Sequence, residues 1–191
     1  MAVMDVSWWH LRQAVTVLRA EGVIAYPTEA VWGLGCDPFS EAAFARLLAL
    51  KARPLRKGVI LVAASLEQVQ SLLDPLPTAL VDQARAVWPG PVTCVLPDPL
   101  KQVPAWIRGA HGGVAVRVSA HPLVQALCTA FGGPLVSTSC NPTGRAPARR
   151  AWQVRQYFGE ALDGILPGAL GGQRRPTRII DLQTQTLLRS D

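Results

Sequence analysis

Apolar positions along the chain alternate between two periods from the N-terminus onward. Leu11, Ala14, Val15 and Leu18 keep the spacing of one helical face, with Ser7 placed to cap and Gly22 to stop a helix over 8–21. The apolar run 23–26, ended by Pro27, predicts a buried strand, and the stretch after it, with Gly33 and Gly35, predicts a loop. Ser40 opens a second helix that runs to about Arg53, where Pro54 disfavours continuation. "VILVAA" (59–64) predicts a strand, after which Ser65 and Gln68 form a capping-box pattern for a helix with Val69, Leu72 and Leu73 inward. A helix from Thr78 to Trp88 ends at the turn "PGP", and strands are predicted at 92–96, 114–118 and 135–138. Between the last two, Pro122 takes the favoured first helical position and Gly132-Gly133 ends the helix. A loop at 139–147 precedes a helix over 149–158, and "RIIDL" and "TLLR" close the chain as a hairpin.

Strands alternating with helices imply an α/β fold, here a twisted, mixed open sheet with helices packed around it. No linker, repeat or low-complexity tract divides residues 1–191, so one domain is expected. Nearly half the residues (49%) are hydrophobic and 17% are charged, which supplies a core and excludes a disordered chain. Cys36, Cys94, Cys128 and Cys140 are widely spaced without a C-x-x-C pair, so buried, reduced thiols of a cytoplasmic protein are expected rather than a metal site. "MAVMDVSWWH" lacks the pattern of a signal peptide, and "VILVAA" is too short to span a bilayer, so no membrane partner is expected.

The formal charge of +6 is uneven: residues 145–191 hold eight arginines against four acids. Two explanations stay open, a phosphate-bearing partner (nucleotide or RNA) and charge that serves solubility. No P-loop, G-x-S-x-G or H-E-x-x-H pattern is present, and "GLGCDP" does not complete a dinucleotide fingerprint. His10, His111 and His121 read as structural or surface residues, and the six tryptophans as core packing or turn anchors. An enzyme built from this chain works by positioning and charge stabilisation rather than through a covalent nucleophile.

"LKARPLRKG" (50–58) concentrates Lys51, Arg53, Arg56 and Lys57 without an acid. Phe44, Leu47, Leu48 and Lys51 fall at i, i+3, i+4 and i+7, which puts Lys51 on the apolar stripe of its helix. Cations in a last helical turn are favoured by the helix dipole, but that effect does not choose the inward face. An anion site follows from the register. "YPTEAVWGLG" and "STSCNPTG" each follow a buried strand and offer Thr28, Ser137, Thr138, Ser139 and Asn141 as hydrogen-bonding groups.

Together, "YPTEAVWGLGCD", "LKARPLRKG", "AVRVSAHPL" and "LVSTSCNPTG" resemble the YrdC/TsaC family of L-threonylcarbamoyladenylate synthases, in the family's order and spacing. The resemblance runs from "VIAYPTE" to "TLLR" and matches the short, single-domain form. It implies the YrdC-like fold and a reaction that joins L-threonine, bicarbonate and ATP into threonylcarbamoyl-AMP and pyrophosphate. Partner proteins would transfer the threonylcarbamoyl group to an anticodon-loop adenosine of tRNAs reading codons that begin with A.

Carried over by position, Lys51, Arg53, Ser139 and Asn141 would be catalytic and bind ATP, joined by Arg189. Thr28, Arg117, Ser137 and Thr177 would form the threonine pocket, and Arg117 would take the substrate carboxylate. Mg²⁺ is expected with the triphosphate and no protein-ligated metal besides. Departures are Cys140 within S-x-N, Lys57-Gly58 where many relatives have Asn-Pro, Val62 where longer members carry a histidine, and Pro147 where some relatives have a serine. The alternative is a non-catalytic RNA-binding or ribosome-maturation protein with a basic concave face. A third, a carbamoyl-transfer module of hydrogenase maturation proteins, normally sits in a far longer chain.

Overall fold

The computed structural model describes residues 7–190, so most of the stretch read for a signal peptide, residues 1–6, lies outside them. In chain order the elements are α1 (Trp8–Arg19), β1 (Ile24–Pro27), β2 (Trp32–Gly35), α2 (Glu41–Lys51), β3 (Ile60–Ala63), α3 (Gln70–Leu73) and α4 (Thr78–Val87). Then come β4 (Val92–Pro97), α5 (Ala105–Arg108), β5 (Gly113–Val118), α6 (Pro122–Phe131), β6 (Leu135–Ser139) and α7 (Ala151–Phe158). The last strands are β7 (Gly164–Ile165), β8 (Arg178–Asp181) and β9 (Thr186–Arg189). All nine belong to one mixed sheet in the order β7-β1-β2-β6-β3-β5-β4-β8-β9. The pairs β1–β7, β3–β5 and β4–β8 are parallel and the others antiparallel. The expected mixed α/β sheet is therefore present, and the C-terminal hairpin with it.

Strand periodicity sorts side chains between two cores. Leu61 and Ala63 face one cluster with α2, α4 and α7, whereas Val62 faces another with Tyr26 and the apolar stripes of α1 and α6. Among the described residues, no helix is long and apolar enough to cross a membrane. The four cysteines are free and buried.

Four local expectations change. The predicted loop at 32–35 is a strand: Gly33 and Gly35 pair with Tyr26 and Ile24 of β1. A Cβ on Gly35 would lie 2.6 Å from the Val136 carbonyl oxygen and 2.7 Å from Tyr26, so the glycine marks close packing and not a turn. The Ser65–Gln68 capping box does not form; Gln68 accepts instead from the Ala64 amide at 2.8 Å, and a 3₁₀ turn precedes a four-residue α3. Helix α2 stops at Lys51, because Ala52 takes a left-handed conformation (φ 48°) and the Arg53 amide closes back on the Leu48 carbonyl at 3.0 Å. Trp32 and Trp88 are buried as expected, but Trp8, Trp9 and Trp152 are exposed.

The basic junction is braced by two glycines. Gly58 (φ 55°) and Gly109 (φ 64°) interlock, each lacking room for a Cβ, which would come within 2.5 Å of the Arg108 carbonyl oxygen and the Gly58 amide respectively. Both contacts are backbone and cannot swing away. Gly109→Ala is therefore expected to lose about 1–3 kcal/mol, read as a lower urea midpoint with an unchanged slope.

Candidate active site

Helices α1 and α6 cover only part of their side of the sheet. Ile24, Tyr26, Val62 and Leu135 lie under them. Further along the same side, Ile60, Ala115, Arg117, Ser137 and Ile179 form the floor of an open cleft of about 560 Å³. The register explains the grouping: Ile60 lies opposite both Ser137 and Ala115, and Val62 opposite Arg117. Thr28, Arg53, Arg117, Ser137, Ser139 and Thr177 all line this cleft, as does Arg189. The turn after the first strand and the last strand thus share a single site.

Its deep end is ordered around Arg117, which is 5% exposed. Arg117 Nη1 donates to Thr177 Oγ1 at 3.0 Å, and Nη2 forms an ion pair with Glu29 Oε2 at 3.3 Å. Thr177 Oγ1 also accepts from Arg189 Nη2 at 3.3 Å, while the Arg189 fork grips the Thr177 carbonyl. Burial, and then the charge of Arg117, lower the pKa of the Arg189 guanidinium. On the opposite strand end, the Thr28 hydroxyl donates to the Val31 carbonyl at 2.7 Å and holds the turn between β1 and β2. An arginine fork set among hydroxyls suits the recognition of a carboxylate.

The basic junction divides into two functions. Lys51 lies on the inward face, as its spacing required, and is 2% exposed. It does not reach the open cleft. Its Nζ donates to the carbonyls of Ser139 and Asn141, the latter at 2.7 Å, and the Thr143 amide returns a bond to the Lys51 carbonyl at 2.8 Å. Lys51 therefore clamps the S-x-N loop from behind. Burial, and then the neighbouring Arg53, depress its pKa to about 8. Arg53 does line the cleft, with Nε and Nη2 on the Gly58 carbonyl at 3.3 and 2.8 Å, and burial lowers its pKa as well.

Asn141 also organises its own loop. Its Nδ2 donates to the carbonyls of Pro142 and Arg145 at 3.0 and 2.7 Å, and it stands apart from the cleft lining. Cys140 is fully buried and its pKa is pushed up to about 12, first by that burial, so its thiol is not a reactive group despite its place in the motif.

Sequence reasoning missed four groups. Arg108 and His111 line the cleft beside Lys57, which the basic junction had already marked, and Asp181 is the one carboxylate among its described lining residues. Glu29, read only as part of a motif, is the buried counter-charge of Arg117. A lone acid amid apolar neighbours was the available signal for Glu29; for Arg108 and His111 the α5 loop supplies proximity that no spacing encodes.

Comparison with known proteins places the chain in a family. Residues 16–190 match the Sua5/YciO/YrdC family model, described as telomere recombination. The chain is 64% identical over 178 residues to the threonylcarbamoyl-AMP synthase of Marinobacter nauticus, covering 93% of this chain and 94% of that protein. It is 53% identical over 184 residues to the enzyme of the same name from Pseudomonas aeruginosa, covering 96% and 98%. The structure of P. abyssi Sua5 complexed with L-threonine superposes with a TM-score of 0.87 at 33% identity. That match covers 95% of this chain, which spans about half (54%) of the longer Sua5 chain. YciO of E. coli superposes with a TM-score of 0.80 at 27% identity, covering 94% of this chain and 88% of YciO. By the family-model match over residues 16–190, the sequence identity to the curated relatives and the superposition on Sua5 and YciO, this chain belongs to the Sua5/YciO/YrdC family.

Proposed function

We propose that this chain is a threonylcarbamoyl-AMP synthase, a nucleotidyltransferase that consumes L-threonine, bicarbonate and ATP. The observation that carries the reading is a carboxylate-matched arginine, Arg117, in one cleft with the cations Arg53 and Arg189. Relatives of that name at 53–64% identity support it. L-Threonine would occupy the deep end, its carboxylate on Arg117 and its polar groups near Thr28, Ser137 and Thr177. The amine nitrogen takes up the carbon of bicarbonate, with loss of water, to form a carbamate. A carbamate oxygen then attacks the α-phosphorus of ATP in line, and the bond to pyrophosphate breaks.

Arg53, Ser139 and Arg189 would hold the phosphates and offset the charge that develops on them. Lys51 and Asn141 would contribute by fixing the loop that presents Ser139. No side chain needs to attack. Mg²⁺ would enter as the metal complex of ATP, which asks for no dedicated protein cage. Asp181, the lining carboxylate, has Oδ1 committed to the Gln183 and Thr184 amides at 2.9 and 3.1 Å and leaves one oxygen for a hydrated ion.

The product is an activated mixed anhydride, so tRNA threonylcarbamoyl-transfer proteins are the proposed recipients. RNA itself is a proposed partner through the arginines of 145–178, on which salt-dependent affinity would bear. The test is pyrophosphate release with ATP, bicarbonate and L-threonine. Release that depends on both threonine and bicarbonate is expected. Threonine-independent release, or none, overturns the reading; RNA binding without ATP or threonine binding would favour the non-catalytic alternative.

A further inference from the structure

One buried acid stands behind the cleft and takes no part in the chemistry above. Glu29 is 5% exposed and does not line the cleft. Its position is fixed independently of Arg117. Oε1 accepts from Ser119 Oγ at 2.6 Å, and Ser119 Oγ in turn accepts from the His121 amide at 3.0 Å. The backbone is tied as well, because the Glu29 carbonyl accepts from the Gln173 amide at 3.0 Å. Gly171 leaves no slack there, since a Cβ on it would lie 3.0 Å from Glu29 Cα.

Oε2 is the unusual atom. It is buried without a hydrogen-bond partner among the described residues, and it faces Arg117 Nη2 at 3.3 Å as an ion pair. The other terminal nitrogen of Arg117 is set by Thr177 Oγ1 at 3.0 Å. One anchor on each terminal nitrogen fixes the plane of the guanidinium. Each of those nitrogens keeps a second N–H for a ligand.

We propose that Glu29 is a positioning residue for the amino-acid substrate, acting through Arg117. The carboxylate, held by Ser119, orients the fork so that its remaining N–H groups meet the carboxylate of L-threonine. It also balances the charge of Arg117 while the pocket is empty, so no ordered anion has to be displaced when the substrate arrives. This rests on the deep end of the cleft being the threonine pocket. A carboxylate that served only to neutralise a buried cation would affect stability and leave substrate discrimination alone.

Glu29→Gln separates the two roles, because it keeps the size and the Ser119 acceptor and removes the charge. Steady-state pyrophosphate release is measured for wild type and variant, varying threonine and ATP separately, with L-threonine calorimetry and thermal melting alongside. The expected result is a KM for threonine raised about tenfold, the scale on which removal of a supporting partner weakens a ligating group. The KM for ATP stays unchanged. In an Arg117→Lys background, Glu29→Gln should add nothing further to the threonine penalty, since both changes act through one fork.

If Glu29→Gln does not fold, Ser119→Ala takes its place and should raise the threonine KM by a smaller factor, again without touching ATP. An unchanged threonine KM, or threonine and ATP values that rise together, overturns the proposal. Wild-type protein without threonine-dependent release overturns the pocket reading and the proposal with it. Wild-type protein with such release, beside an unaffected variant, overturns the proposal alone.

Discussion

Lys51→Ala lowers kcat by on the order of 10²-fold while the circular dichroism spectrum keeps its native shape; this loss is the size expected when a catalytic loop shifts by about an ångström. The loss is transmitted through the loop. The ammonium binds the carbonyls of Ser139 and Asn141, and without it two acceptors in a largely buried place lose their donor. Each orphaned acceptor costs about 1–3 kcal/mol, which the loop can recover by turning outward to water. Ser139 would then leave the cleft wall. Arg53→Ala removes a cleft-lining cation instead, so it should act mainly on ATP-dependent terms and leave the loop in place. A Lys51→Ala enzyme with a near wild-type kcat would show that the loop keeps its shape unaided.

The same clamp carries a pH dependence. The folded pKa of Lys51, about 8, lies below the ordinary lysine value of 10.5. Between those two values the unfolded chain binds the extra proton, so the contribution of this group to stability rises with pH across that window. Activity moves the other way. Above about pH 8 the ammonium charge that strengthens both bonds of the clamp is lost, so kcat should fall as pH rises through 8. Lys51→Arg, which stays charged, should shift this alkaline limb upward even if its plateau is lower.

Arg117→Ala is expected to have the largest effect on stability. Removing one member of a buried ion pair costs about 3–5 kcal/mol because the other charge is stranded, and here the stranded group is Glu29. For a chain of this size that corresponds to a drop in Tm of about 6–20 °C. Thr177 loses a donor at the same time. Adding Glu29→Gln to Arg117→Ala should return most of the lost Tm, since no buried charge remains, and should leave threonine binding abolished. Differential scanning calorimetry and threonine titration on the two variants check both halves. A double variant as unstable as the single one would mean that packing of the arginine stem, not its charge, carries the stability.

What could be read in the sequence was whatever local spacing encodes. Lys51 shares a helical period with Phe44 and Leu47, so its inward direction was legible. Its acceptors, 88 and 90 residues further on, were not. Arg117 was assigned by family resemblance alone; its place beside the cleft comes from the pairing of β5 with β3. Gly33 and Gly35 misled because a glycine needed for close approach looks the same in sequence as one needed for a turn. The grouping of Thr28, Arg117, Ser137 and Thr177 came from family resemblance, since no periodicity spans 28 to 177. Glu29 escaped notice because a buried charge is recognisable by its partner, and the partner lies on another strand.

The floor of the cleft is made of sheet, with contributions from β3, β5, β6 and β8, and its walls reach from Thr28 to Arg189. Partial assemblies of the chain therefore hold fragments of the site and no working version of it. Binding of both substrates should appear only in the last step of folding, as a signal that arrives with the final strands. Once present, ligands select the completed sheet and slow its opening, so ATP and threonine together should protect amides at opposite ends of the chain from hydrogen exchange in concert.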